Sequence, residues 1–215
     1  MKSPFDQLVY FADPMCSWCY GFGPAMSRFA DAHRELKLSL VMGGLRPYTK
    51  EPMMAAQKKQ IVGHWQHVAD ASGLKFNDAL LMTDGFVYDT EPACRAVATA
   101  RAMQFADALA FLKAIQIAFY RDARDVTNAE ILADIATEIG FDRTSFLSML
   151  ESADMREAVK KDFALSQSLG IQGFPTLCAG RGSELALITN GYASVETIEQ
   201  RFGQLMAEAS VATQK

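Results

Sequence analysis

The sequence predicts a mixed α/β fold whose strands lie near the two ends of the chain and whose middle is helical. Short apolar runs over residues 7–12 and 36–42 flank one amphipathic segment, and a strand–turn–strand pattern covers residues 176–189. From about residue 51 to 152 the apolar residues recur at helical spacing. Because strands and helices differ in the period of their apolar residues, these three observations together define the fold class.

The first three elements form a β-α-β pattern, with a strand over residues 7–12, a helix over residues 17–33 and a strand over residues 36–42. Two strands joined through a helix by short connections pair in parallel with a right-handed crossover. The Gly-Gly segment at residues 43–47 follows the second strand. Loops at the carboxyl ends of parallel strands line the ligand crevice of α/β sheets, so this loop is expected to border the site. The alternative is a plain Gly-Gly turn.

The helical middle begins with a predicted helix over residues 53–71, followed by a loop over residues 83–89. Thr90 begins the next helix, because Pro92 is favoured in a first helical turn. A wide apolar arc over residues 108–119 predicts a further helix.

The second part of the helical middle is predicted from its capping residues. Thr127 and Glu130 have the spacing of a capping box, which predicts a helix that begins there. Gly140 is expected to end that helix, and Asp142 to cap a short helix that follows.

The last elements form an α-β-β-α pattern. A helix is expected to stop at Gly170, and residues 176–179 and 185–189 are expected to form a hairpin across a glycine-containing turn. Ser194 is the predicted cap of a final helix.

Composition and charge exclude several classes of protein. The chain has 215 residues, of which half are hydrophobic and 21% are charged, as in ordinary globular proteins. Its net charge of −4 gives no support for a nucleic-acid partner. No apolar run approaches the roughly 20 residues that span a bilayer. The first residues lack the apolar region of a signal peptide, so we expect a cytoplasmic protein, or a periplasmic one if the chain is a trimmed mature form.

The chemistry is concentrated in the segment that follows the first strand. Cys16 and Cys19 form a C-x-x-C pair, and Phe22, Met26 and Phe29 after them recur at helical spacing. A cysteine at a helix start lies near unpaired amide hydrogens and the positive end of the helix dipole, which favours the thiolate. The second cysteine is one turn away, where it can attack a mixed disulfide formed at the first. The pair therefore indicates thiol–disulfide chemistry.

The main alternative is half of a zinc site, which needs a second pair of cysteines or histidines. His64 and His67 are one turn apart and are the candidates for such a pair, whereas Cys94 and Cys178 are far apart. The strand-to-helix context favours the redox motif, so we expect no metal. Cys94 is expected to be a buried helical residue. Cys178 is expected to pack in the core, with a third thiol at the site as the alternative.

A second motif lies at residues 170–178, Gly-Ile-Gln-Gly-Phe-Pro-Thr-Leu-Cys. A strand, a C-x-x-C pair at a helix start and a late Gly-Phe-Pro-Thr before a hairpin resemble the thioredoxin superfamily. The long helical middle is similar to the DsbA-like branch, which includes FrnE-type and protein-disulfide-isomerase members. The resemblance implies an α/β thioredoxin fold with a large all-helical insertion. It divides the chain into a thioredoxin-like domain of residues 1–46 and 152–215 and a helical insertion domain of residues 47–151.

The resemblance also implies roles for residues around the cysteines. The peptide between Phe174 and Pro175 is expected to be cis and to face the cysteines, where the adjacent backbone pairs with an incoming substrate strand. Ser17 can offer a hydroxyl or an amide to the first thiolate, and Trp18 is expected to contact substrate rather than the core.

One position departs from the family pattern. Thioredoxin and DsbA carry a buried acid in the first strand, six residues before the nucleophile, and this sequence has Tyr10 there. Asp13 is the only nearby acid. It either takes over proton transfer for Cys19 or caps the start of the helix, a common role for Asp in a turn. If neither residue serves, water would take the proton.

The function predicted from these features is a protein-disulfide oxidoreductase or isomerase, with Cys16 as the nucleophile and Cys19 as the resolving thiol. Its partners would be protein thiols and disulfides or glutathione, with no bound cofactor. Dimers occur in the family, so the resemblance allows a homodimer. One alternative is a glutathione-dependent transferase or isomerase of the kappa or 2-hydroxychromene-2-carboxylate isomerase type, which usually has serine in place of the first cysteine. A non-catalytic, redox-sensing binding module is the other alternative.

Overall fold

The sheet combines strands from both ends of the chain. The computed structural model describes residues 3–103 and 108–212. Within them, four strands pair in the order β2-β1-β3-β4. The first pair is parallel and the other two pairs are antiparallel, so the β-α-β and the α-β-β-α parts share one sheet, as predicted. The strands are β1 (Gln7–Ala12), β2 (Lys37–Met42), β3 (Thr176–Arg181) and β4 (Glu184–Asn190).

The other regular elements of the described chain are helices. α1 (Ser17–Ala32) connects β1 to β2, and α9 (Val195–Ala212) follows β4. Between β2 and β3 the regular elements are all helices, including the four-residue α3, which the sequence pattern did not predict. They are α2 (Ala55–Ser72), α3 (Ala79–Met82), α4 (Glu91–Ala102), α5 (Ala108–Tyr120), α6 (Ala129–Glu138), α7 (Arg143–Leu150) and α8 (Ala153–Ser168).

The domain boundaries, after residues 46 and 151, stay predictions. Residues 1–2 and 213–215 of the predicted thioredoxin-like domain, and residues 104–107 of the predicted insertion, lie outside the described residues.

Two of the predicted helix caps are confirmed and one is wrong. The Asp142 carboxylate accepts a hydrogen bond from the Ser145 amide, and the Ser194 hydroxyl accepts one from the Thr197 amide. The predicted cap at Thr127 is wrong, because the cap of α6 is Asn128, whose side chain accepts from the Glu130 amide. Two adjacent residues able to cap compete here, and asparagine, a slightly better cap than threonine, prevails.

The helical middle is attached to the sheet at β2, an edge strand. The Arg101 guanidinium on α4 forms an ion pair with Asp162 on α8 at 2.8 Å and donates to the Leu40 carbonyl of β2. The Asp162 carboxylate also accepts from the Met42 amide at 2.9 Å. Charged groups that are mostly buried are stable only when paired in this way, so the network fixes α4 and α8 against the end of β2.

The two faces of the sheet have separate apolar clusters. Leu8, Tyr10 and Ala12 pack in the main core together with α1, whose Phe22 ring lies 5.9 Å from the Tyr10 ring. Val9 and Phe11 point to the opposite face, because side chains alternate along a strand. No helix in the described part of the chain has the length and apolar content needed to cross a bilayer.

Candidate active site

The two motif cysteines lie at the carboxyl end of β1, where the chain turns into α1. Cys16 is the N-cap residue of α1, with extended backbone angles of φ −94° and ψ 117°. Its carbonyl accepts the first helical hydrogen bond, from the Tyr20 amide. The Cys16 side chain is 5% exposed and Cys19 is fully buried. The two thiols are free, and Cys16 is the one that a reactant can reach first.

Cys19 has the electrostatic character of a thiol that acts second. Burial raises the pKa of Cys19 well above the ordinary thiol value, and the adjacent Cys16 thiol raises it further. A hydrogen bond from the Asp13 backbone amide acts in the opposite direction. Cys19 therefore stays protonated near neutral pH until it loses its proton to an acceptor.

The loop before β3 closes over the first cysteine. The Phe174–Pro175 peptide bond is cis, and the Phe174 carbonyl lies 3.4 Å from the Cys16 sulfur, which donates to it. The Phe174 ring lies directly on Gly43, where a β-carbon would come within 2.0 Å of the ring tip. The Gly43–Gly44 loop after β2 therefore borders the site.

Asp13 ties together three segments around the cysteines. The side chain is fully buried; one carboxylate oxygen accepts from the Met15 amide at 2.8 Å, and the other accepts from the Leu45 amide at 2.7 Å and from the Cys94 thiol at 3.3 Å. Burial raises the pKa of Asp13, and these donors oppose the rise. The alternative that Asp13 caps α1 is wrong, because its carboxylate accepts from the amides of Met15 and Leu45, which lie outside α1.

Tyr10 lies on β1 beneath the cysteines. It is buried, and its hydroxyl has no hydrogen bond of normal geometry among the described residues. Burial raises the pKa of Tyr10 well above normal, and Cys19 and Cys16 raise it further, so the hydroxyl remains protonated beside Cys19.

The sequence matches the family described as the DSBA-like thioredoxin domain over residues 7–203. The chain belongs to this family. The match covers both outer parts and the helical middle, and it agrees with the resemblance stated from the motifs.

The solved structures that are similar to this DSBA-like protein include disulfide enzymes. A candidate protein disulfide isomerase from Nitrosomonas europaea is 33% identical, with a TM-score of 0.88 over 94% of this chain and 97% of that one. The cytosolic disulfide reductase DsbM from Pseudomonas aeruginosa is 25% identical, with a TM-score of 0.74 over 97% and 98% of the two chains. A DsbM structure with GSH is 24% identical, and a 2-hydroxychromene-2-carboxylate isomerase is 15% identical with a TM-score of 0.62; these two show the fold alone.

Curated relatives of this DSBA-like protein carry a different description. The ClpXP adapter protein SpxH of Bacillus licheniformis is 21% identical over 94% of this chain and 67% of its own length. SpxH of Halalkalibacterium halodurans is 19% identical over 79% of this chain, which spans 57% of that protein.

In this DSBA-like protein the helical middle contributes two residues to the surroundings of the cysteines that sequence analysis did not place there. The Tyr88 hydroxyl donates to the Met15 carbonyl at 2.7 Å and lies 3.3 Å from the Tyr120 hydroxyl. The Cys94 thiol binds Asp13, as described above. Cys94 was predicted to be buried in a helix, which is confirmed, and Tyr88 was part of a predicted loop. No local pattern showed that either would contact the cysteine loop.

The remaining predicted residues are divided between the site and other regions. Ser17 and Trp18 are half-buried at the start of α1, and the Trp18 ring lies 5.6 Å from the ring of Tyr192, which is 37% exposed. Cys178 packs with Val9 and Phe11 on the sheet face opposite α1, so the alternative of a third thiol at the site is wrong.

The histidines that could have completed a zinc site lie elsewhere. His64 and His67 are exposed on α2. Within residues 3–103 and 108–212, no three histidine, cysteine or acidic side chains are grouped so that they could hold a metal ion.

Proposed function

We propose that this protein is a thiol–disulfide oxidoreductase that acts through Cys16 and Cys19. One observation carries the proposal: a minimally exposed thiol at a helix N-terminus lies against the Phe174 carbonyl, with a second, buried thiol one turn behind it. This arrangement lets a substrate sulfur approach one cysteine only, and it keeps the other available for the second step.

In the first step the Cys16 thiolate attacks a substrate disulfide. A bond forms between Cys16 and one substrate sulfur, the substrate S–S bond breaks, and the other substrate sulfur leaves as a thiolate. The unpaired amide hydrogens of the first turn of α1 stabilise negative charge on the Cys16 sulfur. The Phe174 carbonyl marks the side from which an extended substrate backbone would approach.

The second step releases the substrate. Cys19 loses its proton and attacks the Cys16 sulfur, so that an intramolecular disulfide forms and the substrate leaves as a thiol. We propose that the Tyr10 hydroxyl donates a hydrogen bond to the Cys19 thiolate as it forms. Because its raised pKa keeps the Tyr10 hydroxyl protonated, this group cannot take up the Cys19 proton, so its role is to stabilise the thiolate.

The proton itself needs an acceptor, and Asp13 is our candidate. Asp13 and Cys19 interact electrostatically, and the raised pKa of Asp13 brings it closer to the range of a general base. The donors that Asp13 already binds limit this role to transfer through water or through a shift of the loop.

We infer that the enzyme works in the reducing direction, in the cytoplasm, on protein disulfides or on mixed disulfides between a protein and glutathione. The likeness to the cytosolic reductase DsbM supports this direction. Two electrons per turnover would come from a thiol such as glutathione, which reduces the Cys16–Cys19 disulfide by the same exchange.

The test is insulin reduction with glutathione as the electron donor. Cys16→Ala is expected to abolish turnover, whereas Cys19→Ala is expected to stop after the first step as a trapped mixed disulfide. Cys178→Ala is the matched control, because that buried cysteine lies on the opposite face of the sheet and should retain full activity. Turnover that survives Cys16→Ala would refute the proposal.

The second candidate function is a partner-binding module, which the description of the curated SpxH relatives favours. It predicts that binding of a partner protein survives replacement of both motif cysteines. The insulin assay, together with a glutathione-binding titration, addresses the glutathione-dependent isomerase alternative. That alternative predicts saturable glutathione binding without insulin turnover.

A further inference from the structure

A cleft separate from the cysteine site lies on α1, one turn beyond the cysteines. It has a volume of about 370 Å³, which is in the range of small-molecule sites. Its walls come from α1, from the connection after α2, and from α5 with the residue that follows it. Pro24, Leu74 and Ile117 supply apolar surface.

The rim of this cleft is basic although the protein is acidic. Lys75, Lys113 and Arg121 line it, in a chain whose net charge is −4. Asp122 binds Arg121 through both carboxylate oxygens, at 2.7 and 2.9 Å. Lys113 is half-buried and has no acidic partner among the described residues. The rim therefore carries three cations and one acid.

A buried amide in the wall of the cleft has a free donor. Gln116 is 2% exposed, and its Nε2 group has no hydrogen-bond partner among residues 3–103 and 108–212. Buried polar groups are nearly always paired, and an exception calls for an explanation. An acceptor oxygen of a ligand would supply the missing partner if the Gln116 side chain turned toward the cleft on binding, because Nε2 is closed to solvent in the free protein.

We propose that this cleft binds a small organic carboxylate with an apolar body. The carboxylate would lie between the Lys113 ammonium and the Gln116 amide, both of which donate hydrogen bonds, and the apolar body would lie on Leu74 and Ile117. A neutral ligand would leave the Lys113 charge unpaired, and a purely charged ligand such as phosphate would leave the apolar wall uncovered. The proposal concerns a separate site and does not depend on the redox function.

The experiment uses benzoate as the probe and benzamide as its neutral counterpart. Titration into the ¹⁵N-labelled reduced protein is expected to shift the amide signals of residues 73–75 and 113–121 and the Gln116 side-chain signal. Benzamide is expected to bind at least about fivefold more weakly, since it lacks the charge.

Variants assign the binding to these groups. Lys113→Met should weaken benzoate about two- to fivefold, the range for one exposed ion pair, and Lys37→Met, at the exposed start of β2, should not change it. Gln116→Leu should weaken benzoate and raise the melting temperature of the free protein, because it removes an unpaired buried donor.

Three results would overturn the proposal: no shifts at the cleft, equal affinity for benzamide, or benzoate affinity unchanged in Lys113→Met. The Lys113 variant changes a partly exposed side chain, so its outcome does not depend on refolding of the core.

Discussion

The contact between Gly43 and Phe174 allows a sharp test of how the site is built. A β-carbon at Gly43 would lie 2.0, 2.2 and 2.5 Å from three atoms of the Phe174 ring, whereas ordinary contact begins near 3.4 Å. The ring tip would be 2.0 Å from the added β-carbon. Gly43→Ala therefore forces the ring tip to retreat by about 1.4 Å to reach ordinary contact. Gly43 cannot move easily in its place, because its amide donates to the Ala12 carbonyl at 2.8 Å.

The expected cost of Gly43→Ala is about 1–3 kcal/mol in the free energy of unfolding, as for other overpacked sites. The retreat also moves the Phe174 carbonyl away from the Cys16 sulfur. Misplacement of about 1 Å at a reacting group can reduce rates up to about a hundredfold, so insulin reduction should fall about ten- to a hundredfold. Urea unfolding and initial insulin-reduction rates measure the two effects.

Two matched variants isolate the contact. Phe174→Leu lacks the three clashing atoms, so Gly43→Ala should cost less than about 0.5 kcal/mol in that background, which leaves a coupling energy of about 0.5–3 kcal/mol. Gly63→Ala, at an exposed helical glycine with nothing within 4 Å of the added carbon, should be neutral or stabilising by about 0.5–1 kcal/mol. The Gly43–Phe174 clash is refuted if the Gly43→Ala variant is as stable as the wild type, or if the substitution lowers the free energy of unfolding equally in the Phe174→Leu background.

Three further predictions concern the buried groups around the cysteines. Tyr10→Phe should change the free energy of unfolding by less than about 1 kcal/mol, because the hydroxyl is unpaired, yet slow the resolution of a mixed disulfide by Cys19 about tenfold; rapid quenching with acid and mass spectrometry would measure this rate, and an unchanged rate would remove Tyr10 from the mechanism. Asp13 has a raised folded-state pKa, so its stabilising contribution is complete below the unfolded carboxyl pKa and is lost as pH rises through the folded value. Cys94→Ala removes a donor that opposes this rise, so stability should fall more steeply as pH rises above the unfolded carboxyl pKa of about 3.9, by about 1 kcal/mol, than in Cys94→Ser, which keeps a donor; parallel curves of stability against pH for the two variants, measured by urea unfolding, would contradict the prediction. Burial raises the pKa of Cys178 to about 11, so iodoacetamide at neutral pH should leave it unmodified in the folded protein; early labelling of Cys178 in a peptide map would show that it is more accessible than the structure indicates.

Local patterns were sufficient for the elements that carry the cysteines. β1 is a continuous apolar run, and α1 repeats its apolar residues every three or four positions, so the strand, the helix and the place of Cys16 between them follow from period alone. The late Phe174–Pro175 segment was identified by its resemblance to a family, because the cis form is the minority state for an arbitrary X-Pro bond.

Contacts that depend on docking could not be derived in the same way. Cys94 and Tyr88 reach the site only because the helical middle packs against the end of β1, and nothing in their own segments encodes that orientation. Cys178 shows the same limit within the sheet. The face of the sheet on which the Cys178 side chain lies is determined by the antiparallel register of β1 and β3, which pairs Cys178 with Val9. A shift of that register by one residue would have turned the Cys178 side chain toward α1.

The most direct test of the central claim is equilibration of the protein in glutathione buffers, with thiol alkylation and peptide mapping at each ratio. We expect one two-electron transition that joins Cys16 to Cys19, at a potential nearer the thioredoxin end of the roughly −270 to −120 mV range of this fold. The transition should be unchanged in Cys178→Ala. A protein in which no Cys16–Cys19 disulfide forms at any ratio would contradict the redox function, and a potential at the DsbA end would contradict a cytoplasmic reductase.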